Sequence, residues 1–274
     1  IYALIALGYT MVYGIAKLLN FAHGDIIMVG AYAILVTLNI TGSPWVGILV
    51  SIVVCTLAGI VIERLAYKPL RGASPLAVLI TAIGVSYFLQ SVAQLIFGAQ
   101  SRPVTLPAFR KVNIAGAQIS TGTIITLVVG ALIMAALTLF VGRTRTGRAM
   151  QAVSEDRGAA QLMGINVNRI IMITFAIGSA LAAFASLFYL MQIPSTSPTL
   201  GAMPGIKAFT AAVIGGIGSI PGAMIGGVLL GLIEKICLSV PAISAYTTAI
   251  EFSLLILILL VKPIGILGKK RRVK

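Results

Sequence analysis

The chain has 274 residues, of which 59% are hydrophobic and only 9% charged, with a formal net charge of +14 and a mean hydropathy of +1.08. So apolar a composition excludes an ordinary soluble domain and defines a polytopic membrane protein, and runs of near-spanning length without barrel-like alternation make it all-helical. The basic residues stand at the ends of those runs, where they orient a membrane chain, and no aromatic-interleaved patch suited to nucleic acid accompanies them.

In chain order, about eight to nine membrane helical segments are expected, short or broken ones included, at about 1–19, 25–40, 45–66, 75–97, 122–142, 170–192, 206–219, 222–240 and 247–264. They form one transmembrane domain over 1–268, with a cytoplasmic loop at 143–169 and a basic tail at 269–274. Ile1 already lies inside an apolar run without an initiator Met, so residues are expected to be missing before it.

The first two segments are separated by NFAHGD, Asn20 to Asp25, which holds the single histidine and the first acid of the chain. The second segment, at about 15 residues, reaches only roughly 22 Å and does not cross alone. The hexapeptide therefore lies at membrane depth or in a dip of water. Asp25 is expected to cap the second helix, Gly24 to allow the turn, and Asn20 to satisfy carbonyls that end the first helix. It reads either as a helix break whose polar groups satisfy one another, or as part of an inner gate in which Asn20, Phe21, His23 and Asp25 meet the solute. One histidine and two distant cysteines, Cys55 and Cys237, assemble neither a metal site nor a nucleophilic triad.

Placing Lys68, Arg71, the stretch 143–169 and the KKRRVK tail inside satisfies most basic residues and puts the C-terminus in the cytoplasm. The loop 98–121 then faces outward with Arg102, Arg110 and Lys111, either as a solvated hairpin or as a docking surface for an acidic partner. In the loop 143–169, Ser154 is the expected N-cap, Glu155 and Asp156 the acidic first turn, and Gly164 the C′ residue of a short helix over about 155–163. Arg143, Arg145, Arg148 and Arg157 are expected in water. Ala159, Ala160, Leu162 and Met163 give the helix an apolar face, and a helix of about nine residues needs a surface to rest on. That surface is either its own membrane helices or a groove on a cytoplasmic partner.

The seventh segment, of about 14 residues, is too short to cross and implies a short span or a re-entrant half-helix ending at Gly215 and Gly216, near a pathway. Beyond it, Gly222 with Gly226 and Gly227 with Gly231 form small-xxx-small pairs, a spacing repeated by Gly178, Ala182 and Ser186. Of the intramembrane acids, Glu63 beside Arg64 and Glu234 beside Lys235 are expected either to pair locally or to snorkel to the membrane surface. Glu251 has no basic neighbour in its segment and is the candidate for a proton relay.

GAAQLMG resembles the coupling motif of ABC importer permeases, with Gly158 in place of the usual glutamate. Together with YALIALGYTMVYGIAKLLNFAHGD, RAMQAVSEDRGAAQLMGI and KAFTAAVIGGIGSIPGAMIGG it resembles, in matching order and over essentially the whole chain, the LivH-type permease of branched-chain amino-acid ABC transporters. The resemblance implies a permease subunit of an ATP-driven importer of leucine, isoleucine and valine, paired with a second related permease, two ATPase subunits and an extracytoplasmic binding protein. It implies docking of the ATPase through Glu155, Asp156, Ala159, Ala160, Gly164 and Ile165, and residence in a bacterial-type inner membrane. No phosphate-binding G-x-x-x-x-G-K-[ST] loop occurs, so ATP and magnesium belong to another chain, and this one is not expected to be an enzyme or to hold a cofactor. Importers of other amino acids or of urea and short amides share the pattern. An ion-driven transporter or channel using Glu251 or Glu234 is the rival reading.

Overall fold

The computed structural model describes residues 1–18, 20–106, 111–114 and 117–268. The basic tail 269–274 and Arg110 lie outside them. The apolar sequence folds into helices because every backbone polar group in hydrocarbon needs a partner within its own segment. In order they are α1 (Tyr2–Ala16), α2 (His23–Thr41), α3 (Pro44–Ile62), which runs on through a π-helical turn at Glu63–Tyr67, and α4 (Pro75–Phe97). A non-helical excursion follows, with β1 (Arg102–Pro103) and a hairpin of β2 (Lys111–Ile114) and β3 (Ala117–Ser120). Next come α5 (Thr121–Arg143), α6 (Arg145–Glu155), α7 (Arg157–Leu162) and α8 (Val167–Gln192). The remainder is β4 (Ser195–Thr196), antiparallel to β1, then α9 (Ala202–Gly215), α10 (Ile220–Ser239), α11 (Pro241–Ser244) and α12 (Thr247–Val261).

Six of these helices are long and apolar enough to cross a membrane, and α1, α9 and α12 are shorter apolar ones. The second segment corrects its expectation. It begins at His23 and runs to Thr41, 19 residues or roughly 28 Å, because Gly42 in the left-handed region ends it later than the pattern suggested. The seventh is short as read, at 14 residues.

Helix α8 is the hub, packed against α1, α2 and α3, while α9 and α10 form a hairpin against α1. Thirteen of the 15 residues of α1 are buried, whereas only Gly122, Gly130, Leu137 and Val141 of α5 are. The core therefore surrounds α1, and α4, α5 and α12 form the rim. Small residues set the approach of the inner helices, since van der Waals packing holds them where the solvent is itself apolar. A Cβ at Gly226 would stand 2.1 Å from the Ala211 carbonyl of α9, and one at Gly227 2.3 Å from Ala3 Cα of α1. Gly222 likewise meets Gly215, and Gly231 faces Tyr2.

Candidate functional site

Helix α1 stops at Ala16 because Lys17 adopts a left-handed conformation, φ 54°, with its amide donating to the Tyr13 carbonyl. The chain then climbs back into the bundle. His23, the first residue of α2, stands beside Gly8 at the middle of α1, where a Cβ would lie 2.3 Å from its Nε2. Gly8 in turn abuts Gly178 near the middle of α8. The NFAHGD turn thus carries His23 back to the level of the middle of α1.

Each polar group there has a definite environment. The Asn20 side chain accepts a hydrogen bond from the Tyr67 hydroxyl at 2.9 Å, a partner contributed by the π-helical turn. It does not close the end of α1 as expected; the Arg157 guanidinium does that, by donating to the Ala16 carbonyl. Asp25 does not cap α2 either. The N-cap is Ala22, without a side-chain bond, and the Asp25 carboxylate points sideways to accept from Ser86 Oγ and, at 2.9 Å, from Gln90 Nε2 at the middle of α4. Phe21 and Tyr9 pack on Phe209 of α9, and the Tyr9 ring meets His23 edge-on at 4.9 Å.

Several buried polar atoms in this region lack a partner among the described residues: the Tyr9 hydroxyl, the Thr210 hydroxyl and both His23 nitrogens, although the Ile5 carbonyl is within reach of the imidazole. Unmet polar capacity in a dry interior is costly. Gly24 contacts Gly201 and Gly205 at the start of α9, so the break and the short helix meet head to head. Gly215 and Gly216, at the far end of α9, pack instead on Gly222 and on the 264–268 segment, whose Ile266 and Leu267 amides donate to the Ile214 and Gly215 carbonyls. They share no contact with the NFAHGD turn.

The intramembrane acids are paired, but not as the sequence suggested. Glu63 bonds Arg71, which folds back from the following turn and also reaches Asn168 of α8; Arg64 is not its partner. Glu234 meets Lys207 of α9 at 2.7 Å, not Lys235, and Lys207 also stands 3.0 Å from Glu251. Tyr2 donates to Glu234 at 3.1 Å. One ammonium thus bridges two carboxylates beside a cavity of about 450 Å³, and Glu251 is not the uncompensated acid its own segment implied. Adjacent positions favoured Arg64 and Lys235, but residues i and i+1 do not face each other on a helix.

The loop 143–169 also departs from its reading. Arg145–Glu155 is a helix, α6, capped by Thr144 and buried through Gly147, Met150 and Val153. Those positions recur at helical spacing, a signal that was present. Because α6 runs through Ser154 and Glu155, neither starts the next helix. The N-cap of α7 is Asp156, whose Oδ1 accepts from the Gly158 and Ala159 amides at 2.8 and 3.1 Å. Gly164, at φ 79°, lies just past its end as expected. Ala160 is buried and Ile165 half-buried, while Ala159 is exposed. Leu162 and Met163 are 90% and 82% exposed. Arg157, expected in water, is half-buried, and burial followed by the neighbouring Arg71 charge pulls its guanidinium below the usual arginine range.

Six helices long and apolar enough to cross a membrane, packed around a polar break between α1 and α2, define a multi-pass membrane protein. Residues 1–260 match the family described as branched-chain amino acid transport system / permease component, and the chain belongs to that family. It is 46% identical to the high-affinity branched-chain amino acid transport system permease protein BraD of Pseudomonas aeruginosa, covering 98% of this chain and 92% of the relative. It is 45% identical to the corresponding LivH of Escherichia coli over 98% and 91%. A probable LivH of Methanocaldococcus jannaschii is 30% identical over 97% and 88%. No solved structure matches the chain.

Proposed function

We propose that the chain is the membrane-spanning permease subunit of an ATP-driven importer that carries branched-chain amino acids inward by alternating access. The observation that carries this reading is near full-length similarity to permeases named for that transport. Its partners are a second related permease, two ATPase subunits that hold ATP and magnesium, and a binding protein on the outer face. Residues 1–268 act as one transmembrane domain in an inner membrane, with the C-terminus and the α6–α7 pair inside and the β2–β3 hairpin outside. Helix α9 is a half-span.

The exposed Leu162 and Met163, standing apolar in water at the end of a helix too short to be stable alone, support docking of α7 on an ATPase. Asp156 fixes the start of that helix, Gly164 its end, Ala159 lies at the contact, and Ala160 and Ile165 seat it on the bundle. Arg157 ties α7 to the last carbonyl of α1, directly ahead of the re-entrant turn, so a push on α7 reaches Asn20, Phe21, His23 and Asp25. Those four form the inner gate, and the 215–216 bend forms its hinge with the C-terminal segment. The solute shifts the inward and outward states only by binding them differently. Glu251 and Glu234, on which an ion-driven rival would rely, are both held by Lys207, which supports the ATP-driven reading.

The test is purification of the tagged chain in mild detergent with its companions identified by mass spectrometry, followed by uptake of labelled leucine into proteoliposomes. Recovery of two ATPase subunits and a second permease, with ATP-dependent uptake abolished in Gly164→Pro, is the expected result. An intact chain that purifies alone and carries leucine on an ion gradient would overturn it.

A further inference from the structure

The end of α3 with its π-helical turn and the start of α8 enclose a second concavity, of about 180 Å³, apart from the NFAHGD turn. Four cations line it, Arg64, Lys68, Arg71 and Arg169, against a single acid, Glu63. Arg71 neutralises that acid. Arg64, Lys68 and Arg169 have no ion pair among the described residues, so the concavity carries about three uncompensated positive charges. The fold builds this grouping: the wider turn of the π-helix at Glu63–Tyr67 buries Glu63 and Tyr67 while leaving Arg64 and Lys68, four apart, at the surface. Asn168 then holds Arg71 against the first turn of α8.

What covers the cluster follows from its flanks. Val61 and Leu65, on the neighbouring stripe of the same helix, are 52% and 74% exposed, and Met172 lines the concavity one turn beyond Arg169. Exposed apolar side chains on a membrane span face acyl chains. A cationic hollow with an apolar flank, at the depth where two spans begin and end, matches a lipid with a charged head and two tails.

We propose that this hollow binds an acidic phospholipid of the inner leaflet, its phosphate between Arg64, Lys68 and Arg169 and its acyl chain along Val61 and Leu65. The leaflet rests on the orientation given under Proposed function; the site itself does not depend on what is transported.

The test uses the intact complex purified in mild detergent, with retained phospholipid quantified by mass spectrometry after exposure to phosphatidylglycerol or phosphatidylcholine vesicles. The double variant R64Q/K68Q is compared with R145Q/R148Q, which removes the same charge from exposed positions of α6 on the same side. Phosphatidylglycerol is expected to be retained in preference to phosphatidylcholine. Retention should fall about fivefold for each cation removed from the hollow and stay within about twofold for the α6 pair. Equal losses in both doubles would show diffuse attraction and overturn the site. Displacement of the lipid by millimolar inorganic phosphate would reassign it to a free anion. Weakened recovery of the ATPase subunits with unchanged lipid would reassign it to a protein contact.

Discussion

Gly24 touches backbone on two sides: a Cβ there would lie 2.4 Å from the Gly201 carbonyl oxygen and 3.0 Å from Gly205 Cα. Neither neighbour is a side-chain tip that can swing away. Gly24→Ala is expected to destabilise the folded chain by about 1–3 kcal/mol through overpacking, whereas Gly84→Ala, which meets open space, should be close to neutral. Thermal denaturation in detergent compares the two, and equal midpoints would remove the head-to-head contact of α2 with α9. Lys207 gives a second residue-scale prediction. Lys207→Met strands one buried carboxylate, Glu251, and one half-buried carboxylate, Glu234, and should cost about 3–5 kcal/mol, most of it recovered in Lys207→Met/Glu234→Gln/Glu251→Gln. A triple variant as unstable as the single would mean that the ammonium does more than balance charge. The acids within apolar helices were legible in the sequence. Their partners were not, because Lys207 lies 27 and 44 positions away from them.

At the scale of elements, α6 and α7 show how one cap displaces another. Ser154 and Asp156 are both good N-cap types, and the acidic residues around them suit a first turn. What decides between them is the buried face of α6, which carries that helix through Ser154 and hands the cap to Asp156. Asp156→Ala should cost α7 about 1 kcal/mol and leave the spans untouched. Hydrogen exchange of the 157–163 amides measures this, and unchanged protection would sink the assignment. Arg157→Gln should leave the ATPase bound and hydrolysing but cut leucine uptake about tenfold or more. That loss corresponds to about 1.4 kcal/mol or more, within the range of a hydrogen bond to a charged group. Normal uptake would show that the bond to Ala16 transmits nothing. The end of α7 at Gly164 was legible because a positive φ suits few other residues.

For the whole molecule, hydropathy marked the apolar spans, and the distribution of Lys and Arg predicts their orientation, but neither says which helix stands in the middle. Orientation is open to a direct check: in a background without Cys55 and Cys237, Leu162→Cys should react with a membrane-impermeant maleimide only from the inner face. Lys111→Cys should react only from the outer face. Reversed labelling would invert the topology and with it the leaflet of the lipid site. That α1 is enclosed and α5 peripheral could not be read from composition, since both are uniformly apolar. In a bilayer an apolar side chain is equally at home against lipid or protein, so hydrophobicity stops reporting burial.

By itself the sequence determined the class, the helical spans, the short α9 and the small-residue spacing of α10, because chain length against bilayer thickness and the cost of unpaired backbone are local matters. Only the tertiary structure decided that His23 stands beside Gly8 of α1, that Asp25 bonds α4, that Arg157 bonds the end of α1 and that one lysine serves two acids. Each of these joins residues distant in sequence, and where such groups meet is set by how helices cross, which no stretch of the chain states alone.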